Sequence, residues 1–133
     1  MKIRVYYEDT DCGGIVYHTA YIRYCERARS EAFFAAETDP QTNTGGFVVR
    51  SLNADFIDSA MLGDIIEVRN KPLKIKNVSI LLQQEIYKIF DNTNKSPCNT
   101  KIFQMIVKLG YIDFTTHHPS VIPKKFLEII NGK

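Results

Sequence analysis

The hydrophobic period switches from helical to strand-like near Phe47, and that change limits the folds open to this chain. From Tyr17 to Glu37 apolar residues recur every three or four positions, at Tyr17, Tyr21, Tyr24, Ala28, Ala32 and Ala35. Such spacing predicts one long helix with an apolar face. From Phe47 onward the period is two, which predicts strands over Phe47–Phe56, Asp64–Ile75, Val78–Phe90 and Thr100–Phe114. Val78, Ile80, Leu82, Ile86 and Phe90 then share one face, as do Phe103, Met105, Val107, Leu109 and Tyr111. Lys2–Tyr7 alternates as a short first strand, and Pro123–Ile130 opens like a short terminal helix.

Asp39-Pro40 and Gly45-Gly46 are expected to end the long helix, and Leu62-Gly63 to make a turn. Asp91–Asn99, with Pro97, reads as a polar loop, while Pro72 suggests an edge position or a bulge in its strand. Short turns between long strands imply antiparallel neighbours. A helix of ~20 residues spans ~30 Å, and Ile22, Phe33 and Phe34 make it apolar away from the tyrosine face as well. The expected class is α+β, with a curved antiparallel sheet of about five strands wrapped around a long central helix.

Residues 1–133 are expected to form a single domain with its own core. The composition, 44% hydrophobic and 24% charged, is that of a globular protein. A net charge of +2 leaves no basis for nucleic-acid binding beyond a local basic patch. The cysteines, Cys12, Cys25 and Cys98, are odd in number and lack CxxC spacing, which argues against disulfides or a zinc knuckle. With no apolar signal core near the start and no apolar run of ~20 residues, the expected location is the cytoplasm.

Chemistry concentrates between Tyr6 and Arg29, in YYEDTDCGGIVYHTAYIRYCERAR. Glu8, Asp9 and Asp11 precede a glycine pair and a helix start near Val16–His18. The first turn of a helix has free N–H groups and a positive dipole end, so it binds anions or polarises a carbonyl. Gly13 and Gly14 would let a ligand approach the backbone. An acid before a helix ordinarily caps it, but Asp11 stands several residues too early for that, and His18 lies where a donor could reach the same ligand.

This run resembles the signature of the 4-hydroxybenzoyl-CoA thioesterase family, most closely its YbgC-type branch. The matching pattern is YYEDTD, a small residue, GG, IVYH and a helix ending in ERAR. Weaker similarity continues through Phe47-Val48-Val49, Leu62-Gly63-Asp64 and Ser79–Ile86. The resemblance implies the hot-dog fold, with subunits whose sheets join, active sites between subunits, and dimers that pair into tetramers. It implies hydrolysis of an acyl-CoA thioester to the free acid and CoA, without a cofactor or metal. The catalytic acid would be Asp11, and the carbonyl-polarising amide that of His18, with Tyr17 as a second candidate. The His18 side chain would donate a proton or position the substrate. Aspartates ordinarily titrate near ~4, so a nucleophilic or water-activating carboxylate needs little tuning at neutral pH.

CoA phosphates call for a basic corner between two strands. The resemblance assigns this role to Lys74, Lys76, Asn77 and Ser79, with fewer charges than in relatives carrying paired arginines. Cys12 replaces the small residue or proline of relatives. His117-His118 reads as a surface turn, Cys25 and Cys98 as structural, and the tyrosine stripe as core. Arg27 and Arg29 read as partners in helix or subunit salt bridges. Asp64 is a lesser candidate near the pocket. Two other readings stand beside hydrolysis. A dehydratase would pair His18 with a helix glutamate such as Glu31, and a non-catalytic acyl-CoA sensor or scaffold would use binding alone. A peripheral association with envelope or lipid-enzyme assemblies is compatible with each.

Overall fold

The computed structural model describes residues 1–132. The elements run β1 (Lys2–Arg4), a 3-10 turn (Tyr7–Asp9), α1 (His18–Ala35), β2 (Gly45–Phe56), β3 (Ile65–Ile75), β4 (Ser79–Asp91), β5 (Ser96–Asp113) and α2 (Lys124–Ile130). The strands form one antiparallel sheet in the order β1-β3-β4-β5-β2. Register shifts interrupt the pairing at Val49/Ser51, Pro72/Lys74 and Ile86/Tyr87. Each such bulge bends its strand and adds twist, so the long strands curl around α1 as expected.

The tyrosine stripe drifts along the helix. Ala20, Tyr21, Tyr24, Cys25, Ala28 and Phe33 are buried, whereas Tyr17, Ala32 and Ala35 are exposed. The sequence reading placed Ala32 inward and Phe33 outside the stripe. At 3.6 residues per turn a strict three-to-four count slides off the contact line, and Phe33 closes the core against Phe47 and Phe126. Near the helix start Tyr21 stacks on Phe103, ring centroids 5.3 Å apart. Truncating a fully buried phenylalanine such as Phe103 costs about 3–5 kcal/mol.

The helix stops before Asp39-Pro40. Glu37 takes a left-handed φ of 55°, and the Thr38 N–H turns back to the Phe33 carbonyl at 3.0 Å. That closure satisfies a terminal carbonyl without glycine.

Inward residues of β4 and β5 match the period-two reading. Ile80, Leu82 and Ile86 are buried, as are Phe103, Met105, Val107, Leu109 and Tyr111. Gln84 shares that inner face and is fully buried. Pro72 has both expected features: β1 flanks β3 only at Ile65–Glu67, so Pro72 faces a free edge, and the register shifts beside it. The expected loop over Asp91–Asn99 is shorter, because β5 begins at Ser96 and Pro97 pairs with Phe90. Asp91 tightens the turn by accepting from the Thr93 and Asn94 amides. The sheet ends on one side at β2, whose outer edge carries only the Gln41–Gly46 bridge at its start among the described residues, with Val49, Leu52 and Phe56 exposed.

Candidate active site

Two aspartates separated by one residue meet opposite fates in the loop before α1. Asp9 is 4% exposed. Its carboxylate accepts from the Tyr6 amide at 3.2 Å and from the Arg23 guanidinium at 3.1 Å. Its carbonyl accepts from the Tyr17 amide at 2.8 Å. Asp9 therefore ties β1, the loop and the helix start together. The buried Tyr24 hydroxyl lies beneath it without a hydrogen-bond partner among the described residues. Burial, with Asp9 nearby, raises that phenol above its ordinary range, so it stays protonated.

Asp11 is exposed and makes no ion pair among the described residues. It sits on a tight reversal: its amide donates to the Ile15 carbonyl at 2.9 Å, and the Gly14 amide donates to its own carbonyl at 3.1 Å. Gly14 has φ +83°, and a side chain there would meet only open space. Glycine is needed for the backbone turn, and the approach from outside stays clear. The Gly13 amide donates to Asp11 Oδ1 at 2.8 Å, while Oδ2 has no partner among the described residues. Bridges from Thr10 to Val16 and from Ile15 to Met61 anchor the reversal.

His18 begins α1. Its backbone N–H has no acceptor among the described residues. The Tyr17 N–H is taken by Asp9, so of the two amides expected to polarise a carbonyl, only that of His18 is open. The His18 ring packs on Tyr17, 4.4 Å between centroids, and edge-on to Phe56 at 6.2 Å. No acid stands in the first turn of α1, so the positive dipole end there is not neutralised from within.

Asp11, Tyr17 and His18 line one cavity of 280 Å³ with Ile15, Val16, Tyr21, Phe56, Asp58 and Ser59. The Tyr21 hydroxyl accepts from the Ala60 amide at 3.1 Å, and burial raises its phenol above the ordinary value. Phe56, Asp58 and Ser59 were missed by the sequence reading. Their only signal is the polar Asp58-Ser59 pair just past an apolar strand end. That they face Asp11 depends on the bridge between Ile15 and Met61, a long-range pairing.

Lys74, Lys76, Asn77 and Ser79 are gathered at the β3–β4 corner, where the Lys76 amide donates to the Ser79 carbonyl at 2.8 Å. Asn77 presents its carbonyl to the Ile122 amide. Within one chain this corner is far from Asp11. Ser79 aligns across the sheet with Gly110 and Val48, whereas Ile86 aligns with Phe103 and Phe56 beside the Asp11 cavity. Seven strand residues separate those levels, about 23 Å.

The residues set aside earlier also have clear positions. Asp64 is buried in a turn, accepting from the Met61 and Asn92 amides and lying 3.5 Å from Lys88. Asp113 caps the turn that holds His117, accepting from the Thr115 and Thr116 amides. Burial pushes the Cys25 thiol up to about 12. Arg29 makes no salt bridge within the chain among the described residues and donates to the Gln84 side-chain oxygen at 2.8 Å. Among the described residues no group of three or more His, Cys, Asp or Glu could hold a metal ion. No helix among them is long and apolar enough to cross a membrane.

Known proteins share this sequence and architecture. The profile of the Thioesterase superfamily matches residues 13–93. An acyl-CoA thioesterase YbgC from Helicobacter pylori is 45% identical over 133 residues, covering 99% of each chain. The acyl-CoA thioesterase YbgC of Haemophilus influenzae is 33% identical, over 92% of this chain and 87% of its own. The crystal structure of a 1,4-dihydroxy-2-naphthoyl-CoA thioesterase from Synechocystis superposes with a TM-score of 0.83 at 16% identity, covering 98% of this chain and 93% of that one. The long helix in its curled sheet is thus the hot-dog fold, and the chain belongs to the thioesterase superfamily, in its YbgC branch.

Proposed function

We propose that this chain hydrolyses an acyl-CoA thioester to the free acid and CoA, with Asp11 as the acting carboxylate. The observation that carries this reading is one cavity shared by a cation-free carboxylate and the first turn of α1. The Gly13 amide fixes Oδ1 and leaves Oδ2 to act. Either Oδ2 attacks the thioester carbon, expelling CoA thiolate and leaving a mixed anhydride that water then cleaves to the free acid and Asp11, or it takes a proton from a water that attacks the thioester carbon directly and expels CoA. In both routes the carbonyl oxygen gains negative charge. The open His18 amide and the dipole of α1 stabilise that oxyanion, and loss of such a donor typically costs about 2.7–4 kcal/mol of barrier. The His18 ring stands at the same mouth as a proton donor or positioner.

The working unit in this proposal is at least a dimer. Beyond the Gln41–Gly46 bridge, the outer edge of β2 carries exposed apolar side chains, a surface that pairs readily with another strand. Antiparallel pairing of β2 with a second copy exchanges its ends. The Phe56 end of one chain then meets the Phe47 end of the other. That brings the partner's Lys74–Ser79 corner to the side of this chain's Asp11, across the gap a single chain leaves open. Lys74, Lys76, Asn77 and Ser79 then serve the CoA phosphates of the neighbouring site. Such dimers can pair again.

The test is thiol release from short, long and aromatic acyl-CoAs, with Cys12 blocked beforehand. Wild type should turn over, and Asp11→Asn should lose at least ~100-fold in kcat. Undiminished turnover in Asp11→Asn would remove Asp11 from the chemistry. Binding without release by wild type would make the chain an acyl-CoA sensor.

A further inference from the structure

A second cavity, of 480 Å³, lies between the C-terminal half of α1, the inner sheet face and α2. It shares no lining residue with the Asp11 cavity. Arg29 stands eleven residues beyond His18 on the same helix, about 16 Å along its axis. The cavity floor is apolar: Phe33, Ile80, Leu82 and Leu109 are all buried. Its volume falls in the range of sites that enclose small ligands.

One wall carries a charge that the chain does not neutralise. Arg29 is only partly exposed, and no carboxylate lies within ion-pair distance of it among the described residues. Burial pulls its guanidinium below its ordinary value, while Cys25 and Glu26 push weakly the other way. The guanidinium is held in place all the same. It donates to Gln84 Oε1 at 2.8 Å, and the Gln84 amide nitrogen is fixed in turn by the Cys25 carbonyl and the Asn70 side chain at 2.9 and 2.8 Å. A guanidinium has five N–H donors, and only this one bond is made among the described residues. An isolated cation next to apolar walls is costly unless an anion joins it.

We propose that this cavity binds an aliphatic carboxylate, its head on Arg29 and its chain against Phe33, Leu82 and Leu109. A carboxylate accepts two parallel bonds from a guanidinium, and each methylene buried against the apolar floor strengthens binding further. A neutral or cationic amphiphile would leave the Arg29 charge unanswered. Glu26, the one acid on the lining, is exposed and already accepts from the Ser30 hydroxyl at 3.1 Å. It stands in solvent-screened surroundings and opposes the incoming head only weakly. The inference does not depend on Asp11 acting as a catalyst.

The experiment is calorimetric titration of the intact protein with sodium decanoate, and with 1-decanol as the uncharged match. Wild type should bind decanoate at least tenfold more tightly than decanol. Arg29→Met should erase that preference, Arg29→Lys should keep part of it, and Glu26→Gln should tighten decanoate two- to threefold. Ala32→Trp, at the exposed helix rim of the cavity, should block both ligands. Asp11→Asn should bind decanoate as wild type does, which separates this site from the one proposed for hydrolysis. Equal affinity of wild type for the two ligands would overturn the proposal. So would loss of decanoate binding in Asp11→Asn with none in Arg29→Met.

Discussion

The two halves of α1 present opposite problems in electrostatics. At its start a carboxylate, Asp11, faces a cavity without a cation, beside an open amide. In its second half a guanidinium, Arg29, faces a cavity without a paired carboxylate. Each charge is oriented by neutral groups alone, a Gly13 amide in one case and the Gln84 side chain in the other. Other charges are answered in kind, as Asp9 is by Arg23 and Glu85 by Lys101. A charge held by neutral donors or acceptors keeps its geometry and remains available to a ligand. A charge locked to its opposite contributes only to structure.

The sharpest way to break this contrast is to cross the two aspartates. Asp11→Asn should leave the denaturant midpoint nearly unchanged while turnover falls by ~100-fold. Asp9→Ala should do the reverse in kind. It strips the Tyr6 amide and the Arg23 guanidinium of their nearly buried acceptor, at a cost of about 1–3 kcal/mol. That loss should appear as a lower urea midpoint with the m-value preserved. If the two variants exchanged these phenotypes, the roles drawn from their surroundings would be inverted.

Gln84→Leu tests the other half. Leucine suits the apolar floor, but the Cys25 carbonyl and Arg29 would lose their partner. We expect a destabilisation of about 1–2 kcal/mol, read by urea unfolding, rather than the gain that burying a leucine alone would give. Turnover of the folded variant should change much less than in Asp11→Asn. A variant more stable than wild type would mean that the Gln84 network does not hold Arg29.

The smallest effect concerns acid. Glu67 is held below the usual carboxylate range by its bond from Arg69, Glu85 by Lys101, and Asp113 by the Thr116 and Thr115 amides. Their folded values lie below the unfolded ones. The stability they add is therefore complete above the ordinary carboxylate range and fades as pH falls through their lowered values. All three lie away from both cavities. Glu85→Gln should flatten the acid limb of stability against pH slightly, as read by urea unfolding from neutral to acidic pH. An unchanged limb would mean that the bond from Lys101 adds nothing to folding.

Local rules made much of this legible in advance. The change of period gave the helix and four of the strands, and inward residues of β5 from Phe103 to Tyr111 could be named from alternation alone. The Asp11–His18 stretch was legible because its parts are near neighbours in sequence. What escaped depends on pairing between distant segments. Asp58 and Ser59 reach the Asp11 cavity through the bridge of Ile15 with Met61. Gln84 breaks the apolar alternation of β4, and its partners, Cys25, Arg29 and Asn70, lie on two other elements. The bond from Arg29 to Gln84 escaped because sequence does not show which side chain a helix arginine meets within the chain. Pro97 looked like a loop marker because proline marks turns more often than strand starts, whereas here it extends β5.

The three thiols form a graded series, with Cys12 exposed, Cys98 intermediate and Cys25 sealed under the helix. An alkylating reagent should therefore consume them in that order. Because the Cys25 sulfur is enclosed and its thiol is pushed up to about 12, its modification must wait for α1 to lift from the sheet. The protein thus carries its own clock for undocking of the helix that bears Arg29 and starts beside Asp11. Any ligand that fills either cavity should slow that clock without touching the sulfur itself.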